Sequence, residues 1–335
     1  MSSETQIWTS IDYTQPGKQI GFLGVPQSYN LAGWATEYIP IAVIANGSGP
    51  TALLFGGNHG DEYEGPVTLN NLVRAVDPAQ VNGRIIIVPT LNRPAAEAGT
   101  RLSPRDGMNM NRAFPGDANG SITSVIAHYV THHLFPLADI VIDIHSGGRS
   151  LHFLPSVNMH EVENPTQMQD MLAAGVAWGA PYVFVYRDVG GQGLLPGLAE
   201  KLGKVTLGTE MGSAGMFTPE ILRITSQGVY NVLRLHGILG GDVEAPPQPP
   251  QIVGATEQAD YIMAPCSGIF EPFIDLGDSI QAGQMAGQLH SLEQPFGDPT
   301  PVVAATDGMV MGRRAFPLTR QGDCVVTVVR PFAMP

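Results

Sequence analysis

The stretch Leu53-Leu54-Phe55-Gly56-Gly57-Asn58-His59-Gly60-Asp61-Glu62 decides how this chain is interpreted. It begins as a short apolar run typical of a buried strand and breaks at two glycines, where the backbone can turn sharply. His59 and Glu62 follow within one helical turn of each other, so their side chains can converge on one point. In α/β proteins, sites lie at the carboxyl ends of strands. The stretch therefore predicts a strand that delivers a histidine and a glutamate to a sheet edge.

A second apolar run, Val141-Ile142-Asp143-Ile144-His145, also ends on a histidine. If both strands belong to one sheet, His59, Glu62 and His145 meet at the same edge. Two imidazoles, one carboxylate and an open fourth position are the ligand set of hydrolytic zinc. These three residues are therefore predicted to bind one Zn²⁺ ion per chain.

Two other pairs share the H-x-x-E spacing, His160/Glu163 and His290/Glu293. His160 lies in the polar stretch 158–165, where no strand is expected to lead to it, and it is interpreted as an ordinary histidine. His290 lies among short strand-like segments without a third ligand, so a surface histidine is as consistent with the sequence as a metal ligand. The metal prediction thus depends on strand context rather than on spacing.

Composition narrows the class of protein. The 335 residues, 43% of them hydrophobic, can form a large core, and no apolar run approaches the ~18 residues of a membrane span. The net charge of −13 disfavours nucleic acid and anionic membrane as partners. Two cysteines, Cys266 and Cys324, exclude a disulfide framework. Since residues 1–4 show no leader signal, a cytoplasmic location is expected.

Strand and helix signals alternate after an N-terminal β region with strands expected at 19–25 and 37–44. Further strands are expected at 51–55, 84–88, 139–144, 181–185 and 204–210. Helices are expected at 65–75, 122–134, 166–178, 194–201 and 219–235. Because the strands are almost continuously apolar, the sheet should be covered on both faces. The predicted fold class is α/β, with a mixed sheet between helices.

The sequence pattern changes at the proline-rich segment Ala245-Pro246-Pro247-Gln248-Pro249-Pro250. Its prolines indicate a semi-rigid linker, and short β segments separated by glycine turns follow it. The predicted organisation is a larger domain over residues 1–244, a linker at 245–251, and a small all-β barrel or sandwich at 252–335.

Three arginines occupy the polar loop 99–112, in a chain that has few basic residues. A planar guanidinium suits a carboxylate or a developing oxyanion. Arg101 and Arg112 are predicted to handle an anion, whereas Arg105 is expected to form a structural salt bridge.

Acidic residues near the predicted strand ends complete the candidate site. Hydrolytic zinc chemistry needs a general base, and Glu210 ends a predicted strand at the right edge; a surface or capping glutamate is the alternative. Asp143 precedes His145 by two residues, so on a strand both point to one face. It is expected to orient a ligand, to hold Arg112, or to form a buried structural pair. Asp61 is ambiguous in the same way.

Four motifs in this order resemble the signature of the succinylglutamate desuccinylase/aspartoacylase family, which is related to the zinc carboxypeptidases. They are Gly56-Gly57-Asn58-His59-Gly60-Asp61-Glu62, Asn109-Met110-Asn111-Arg112, Asp143-Ile144-His145-Ser146 and Thr209-Glu210-Met211-Gly212. The resemblance covers roughly residues 20–335 and implies a zinc-carboxypeptidase-like α/β fold.

The resemblance also implies roles for individual residues in a zinc-dependent deacylase. His59, Glu62 and His145 match the zinc ligands of the family. Glu210 matches its catalytic glutamate, and Arg101 matches the arginine that stabilises the oxyanion. The implied substrate is a small N-acyl amino acid.

Within the family, the chain is similar to the Nα-acetyl-L-2,4-diaminobutyrate deacetylases of ectoine degradation. The similar stretches are Gly60-Asp61-Glu62-Tyr63-Glu64-Gly65-Pro66, Gly99-Thr100-Arg101-Leu102-Ser103-Pro104 and His145-Ser146-Gly147-Gly148. Asn111 and Arg112 match the pair that holds the substrate carboxylate. A cationic side chain would need a nearby carboxylate, and Asp188 and Glu163 are candidates.

The segments 264–270 and 304–310 resemble a biotinyl/lipoyl-type barrel. Carrier domains of that type modify a lysine, and no lysine follows Lys204. This region is therefore interpreted as a cover over the cleft, an oligomer contact, or both; a homodimer is expected from the family resemblance.

Three alternatives stay open at this point. The enzyme could act on another N-acyl amino acid, of the succinylglutamate or N-acetylaspartate type. A zinc carboxypeptidase would share the metal site but would need an open groove for a peptide. A zinc-binding scaffold or a carrier-linked subunit without turnover is the alternative from another class.

Overall fold

The computed structural model describes residues 4–187, 193–212 and 215–333. In chain order, the strands before the proline-rich segment are β1 (Trp8–Thr9), β2 (Gly17–Tyr29), β3 (Ala32–Asn46), β4 (Thr51–Gly56), β5 (Gly83–Val88), β6 (Ile140–Ile144), β7 (Leu151–Phe153), β8 (Ser156–His160), β9 (Tyr182–Tyr186) and β10 (Val205–Glu210). The helices are α1 (Glu64–Ala75), α2 (Arg93–Ala98), α3 (Ile122–Tyr129), α4 (Pro165–Trp178), α5 (Leu195–Lys201) and α6 (Pro219–Leu235). Every predicted strand and helix of this region is confirmed, with ends shifted by a few residues.

One large mixed sheet organises the chain. The hairpin β2–β3 leads into it through an antiparallel β3–β5 pair. The central strands β5, β4, β6 and β10 then lie side by side and parallel, and β8 joins β10 in the opposite direction. Because parallel strands end at the same edge, the segments that follow Gly56, Ile144 and Glu210 meet there.

Helices cover both faces of the sheet, as predicted from its apolar strands. On one face, α1, α4 and α6 pack side chains such as Leu69, Met171 and Val232 against it. On the other face, α3 and α5 contribute Ile126 and Leu195. Every helix among residues 4–187, 193–212 and 215–333 is too short or too polar to cross a lipid bilayer.

Strand β8 corrects one expectation. His160 was expected in a polar stretch without a strand, but it is the last residue of β8. Val157 and Met159 pack into the core of one face, so the polar residues between them project from the other face. Nδ1 of His160 lies 2.6 Å from Oε2 of the buried Glu200, and among the described residues His160 does not belong to a group of three possible metal ligands.

The C-terminal region continues the main sheet. Its strands are β11 (Gln251–Ala255), β12 (Tyr261–Met263), β13 (Gly268–Pro272), β14 (Ser279–Ile280), β15 (Met285–His290), β16 (Thr300–Val303), β17 (Gly308–Arg314), β18 (Leu318–Thr319) and β19 (Cys324–Pro331). β11 pairs in parallel with β9 and antiparallel with β19. β13, β15, β16 and β18 form a separate antiparallel sheet, whose core residues pack together with those of β12, β14, β17 and β19. The main sheet thus crosses the predicted boundary at residue 252, and the division into domains stays a prediction.

Replacing Gly228 by alanine should destabilise the fold, because α6 lies close to α4 at this glycine. A Cβ at Gly228 would overlap the indole of the buried Trp178. We expect Gly228→Ala to lower the free energy of unfolding by roughly 1–3 kcal/mol, measured by urea denaturation. Gly197→Ala in α5 is the matched control, since its nearest atoms lie 3.6 Å away. Equal losses in the two variants would contradict the packing explanation.

Candidate functional site

The turn after β4 sets the position of the first two site residues. Gly57 has a φ of +59°, a left-handed conformation that favours glycine. A Cβ on Gly56 would come within 2.7 Å of the backbone of Gly65, so α1 can begin close to the strand only because this position is glycine. The tight turn places His59 and Glu62 beside the carboxyl end of β6.

His59, Glu62 and His145 form one buried cluster. Nδ1 of His59 lies 2.8 Å from Oε1 of Glu62, and Nδ1 of His145 lies 2.8 Å from Oε2 of the same carboxylate. One ligand atom from each of the three residues can be chosen so that all lie within 4.8 Å of one another. The structure therefore brings together the three residues predicted to bind a metal.

The second nitrogen of each imidazole has an acceptor of its own. His145 Nε2 lies 2.7 Å from Oδ2 of Asp143, and His59 Nε2 lies 3.2 Å from Oδ1 of Asn109. The Asn109 oxygen also accepts from the backbone N–H of Asn111, which fixes the orientation of the amide. With a cation bound among these residues, each ring can donate through Nε2 and direct the lone pair of Nδ1 to the cation.

This donor set fits a divalent metal ion. Two nitrogen lone pairs and a carboxylate repel one another unless a cation lies among them. Two imidazole nitrogens and a carboxylate are ligands that zinc accepts, with an acidic partner behind one of the histidines as in many metal sites. The residues present therefore agree with a metal-binding role.

The charges in the cluster shift the pKa values of its three members in different directions. Burial works to raise the pKa of Glu62, but His59 and His145 outweigh it and hold that pKa below its ordinary value. Burial lowers the pKa of His59. Burial also opposes protonation of His145, yet Asp143 and Glu62 hold its pKa well above the usual range. Glu62 is therefore ionised at neutral pH.

Arg101 and Glu210, the predicted oxyanion-stabilising and catalytic residues, lie next to the cluster. Nη1 of Arg101 is 3.3 Å from Nδ1 of His59 and 3.4 Å from Oε1 of Glu62. Glu210 ends β10, and its Oε2 has no hydrogen-bond partner among the described residues. Burial, together with the charge of Glu62, raises the pKa of Glu210 to about 8. A carboxyl group with a pKa near neutrality can both accept and return a proton.

Asn111 and Arg112 both line the cavity beside the cluster. The Oδ1 atom of Asn111 accepts from the backbone N–H of Leu195 at the start of α5. A carboxylate would therefore meet the amide N–H groups of Asn111 and the guanidinium of Arg112. Arg105 instead contacts Glu37, at 3.5 Å, in agreement with the expected structural pair.

The two predicted neighbouring acids differ in position. Asp143 contacts His145 and also accepts from the side-chain amide of Asn58, at 2.8 Å. Asp61 accepts from the backbone N–H of Arg149 and so holds the loop after β6. Of these two acids, Asp143 is the one that contacts a histidine of the cluster.

The cavity has a volume of about 330 Å³ and is partly built from segments that the sequence did not connect to the site. Tyr261, Met263, Cys324 and Thr327 line it from the C-terminal region. Phe153, Asn158, Phe184, Tyr186 and Arg187 line it from the middle of the chain. No sequence signal pointed to these residues, because none of them belongs to a motif.

The other candidates that the structure describes, Glu163 and His290, lie elsewhere. Asp188 is outside the described residues. Glu163 lines a different cavity, of about 790 Å³, next to His160. His290 forms a surface pair with Glu271 at 2.7 Å, which agrees with the first of its two alternatives, a surface histidine.

Comparison with known proteins gives a consistent family match. Residues 48–236 match the succinylglutamate desuccinylase/aspartoacylase catalytic domain. The N-alpha-acetyl-L-2,4-diaminobutyric acid deacetylase of Halomonas elongata is 37% identical over 96% of this chain and 94% of its own length.

Solved structures extend the match over the whole fold. The product-bound ectoine utilization protein EutE (DoeB) from Ruegeria pomeroyi is 36% identical, with a TM-score of 0.93 over 97% of this chain and 99% of its own. A succinylglutamate desuccinylase/aspartoacylase from Rhodobacter sphaeroides is 37% identical, with a TM-score of 0.92 over 98% and 100%. The similarity therefore includes the C-terminal region as well as the central sheet.

Proposed function

Because the chain belongs to the succinylglutamate desuccinylase/aspartoacylase family, we propose that it is a zinc-dependent deacetylase of Nα-acetyl-L-2,4-diaminobutyrate in ectoine degradation. Full-length similarity to a deacetylase of that compound supports the substrate. The observation that carries the chemistry is the cluster of His59, Glu62 and His145, with Glu210 and Arg101 on the same cavity.

The proposed metal ligands are His59, Glu62 and His145, whose nitrogen and oxygen atoms suit zinc. Bound zinc polarises a carbonyl and lowers the pKa of water from about 15.7 to roughly 7. The hydrogen bond from His145 to Asp143 keeps the ring in the tautomer that ligation requires. The bond from His59 to Asn109 does the same for the second ring.

Glu210 is proposed to carry the proton. It accepts one from the attacking water and gives one to the amine that leaves when the amide bond breaks. Arg101 faces the same point and stabilises the negative charge that develops on the carbonyl oxygen. Both groups lie beside Glu62, so the proton path and the charge stabilisation converge on one carbonyl.

Asn111 and Arg112 are proposed to bind the α-carboxylate of the substrate. The amide N–H groups of one and the guanidinium of the other form a donor pair at the cavity wall. Binding the carboxylate there fixes the position of the scissile amide relative to Glu210.

The C-terminal region is proposed to form a barrel-like cover for the cavity rather than a carrier domain. Tyr261, Met263 and Thr327 line the cavity, and no lysine follows Lys204 that could accept biotin or lipoate. A cavity of about 330 Å³ that is lined in part by the C-terminal region suits a small N-acyl amino acid better than a peptide. This favours the deacylase over a carboxypeptidase. Homodimerisation stays a prediction from the family resemblance.

A screen for released amine tests the proposal. The zinc-loaded protein is offered N-acetyl, N-succinyl and N-formyl amino acids, including Nα- and Nγ-acetyl-2,4-diaminobutyrate, and C-terminally labelled peptides. We expect the highest kcat/KM for the Nα-acetyl diamino acid. Faster turnover of acetylaspartate or succinylglutamate would show that the enzyme acts on another N-acyl amino acid. Release of amino acids from the peptides would show that it is a carboxypeptidase.

A further inference from the structure

Asn158 is a buried polar residue that the catalytic scheme leaves without a role. It lies in β8, is 9% exposed and lines the cavity. Within the described parts of the chain, its side-chain amide has no hydrogen-bond partner. Neither amide atom is fully enclosed by protein, so both can be reached from the cavity. A buried amide without a partner is costly unless a ligand satisfies it.

The sheet directs this amide toward the centre of the site. Asp143, Gly208, Asn158 and Phe184 are successive partners across four adjacent strands, so their side-chain positions share one face. A Cβ at Gly208 would overlap Oδ1 of Asn158. The glycine thus leaves the space in which the amide lies across β10, between the metal cluster and an aromatic wall.

That wall is formed by packed rings. The ring centroids of Phe184 and Tyr186 lie 5.6 Å apart, and Tyr261 belongs to the same apolar cluster. Tyr186 also packs on His160, at 4.3 Å, and Glu200 fixes that histidine. Aromatic faces attract cations, and their attraction grows in a site with little water.

We propose that Asn158 is the specificity-determining residue for the side chain of the leaving amino acid, and that its Oδ1 accepts a hydrogen bond from a primary ammonium group. This inference rests on the proposed function. The carboxylates among the described lining residues, Glu62 and Glu210, are committed to the metal and to proton transfer. Arg187 is paired with Glu161, at 2.9 Å, and offers no acceptor. Oδ1 of Asn158 is a neutral acceptor beside the rings of Phe184 and Tyr186, and this pairing suits a short cationic side chain.

The test compares two substrates of the same shape. Nα-acetylnorvaline carries a methyl group where Nα-acetyl-2,4-diaminobutyrate carries the ammonium. We expect the wild type to prefer the diamino compound and Asn158→Leu to reduce that ratio of kcat/KM about 30-fold, or about 2 kcal/mol at 1.4 kcal/mol per tenfold. Asn158→Asp retains an acceptor oxygen and should keep the ratio. Gly208→Ala, which crowds the amide, should lower it.

A binding measurement separates this inference from the proposed function. Calorimetry on the zinc-loaded protein gives Kd for free 2,4-diaminobutyrate and norvaline without turnover, with zinc content and Tm as checks on folding. In Asn158→Leu, a similar 30-fold drop in the ratio of the Kd for norvaline to the Kd for 2,4-diaminobutyrate supports the inference. This holds even if the protein shows no deacetylase activity. Equal weakening for both ligands, no preference in the wild type, or loss of the preference in Asn158→Asp would overturn it.

Discussion

Replacement of Glu210 by glutamine is expected to lower kcat about 10²–10⁴-fold while the protein still binds close to one zinc ion per chain. Glutamine keeps the shape of the side chain but cannot accept a proton from water or return one to the leaving amine. Glu210 lies at the end of β10 and outside the cluster of His59, Glu62 and His145, so metal binding should be retained. Stopped assays of released amine and metal analysis on the same sample measure both quantities.

The matched control for this variant is Glu163→Gln. Glu163 is exposed and lines a different cavity, so the same chemical change should leave kcat within about twofold. Full activity of Glu210→Gln would remove this residue from the mechanism. Loss of zinc in Glu210→Gln would show instead that the carboxylate supports the metal site.

Replacement of His145 by alanine is expected to abolish both stable zinc binding and turnover. The change removes one of three ligands and leaves the buried carboxylates of Glu62 and Asp143 without their shared partner. Asp143→Asn should give a graded result, with zinc affinity weakened about 10–100-fold, because it alters only the group that orients the ring. Competition with a chelator, followed by metal analysis, gives the affinity of each variant.

His290→Ala controls for the loss of a histidine that is not part of the cluster. His290 contacts Glu271 on the surface, so its removal should change neither zinc affinity nor kcat. The metal assignment would be contradicted if His145→Ala bound zinc as tightly as the wild type, or if His290→Ala lost the ion.

The fold was predictable from sequence wherever both faces of a strand are buried. Residues 51–55 and 140–144 are apolar except for Thr51 and Asp143, and such runs indicate strands inside a covered sheet. The edge at which His59 and His145 meet followed from the same runs, because parallel strands end together. The Pro at the start of α6 marked that helix equally well.

Strand β8 shows why other parts of the site could not be predicted. In Ser156-Val157-Asn158-Met159-His160, the apolar residues face the core and the polar ones face the cavity or its neighbourhood. A strand that has polar residues at every second position resembles a loop in composition, so its sequence does not predict a strand. The positions of Tyr261 and Thr327 in the cavity could not be predicted either, because they depend on the long-range pairing of β12 with β19.

The continuity of the main sheet determines how ligands can enter and leave. β11 is joined to β9 over five residue pairs, Gln251↔Tyr182 to Ala255↔Tyr186, and β19 is joined to β11. A hinge-like swing of the C-terminal region would have to break this ladder of main-chain hydrogen bonds. We therefore expect ligands to enter and leave through rearrangement of side chains and loops at the rim of the cavity, and not through a swing of this wall.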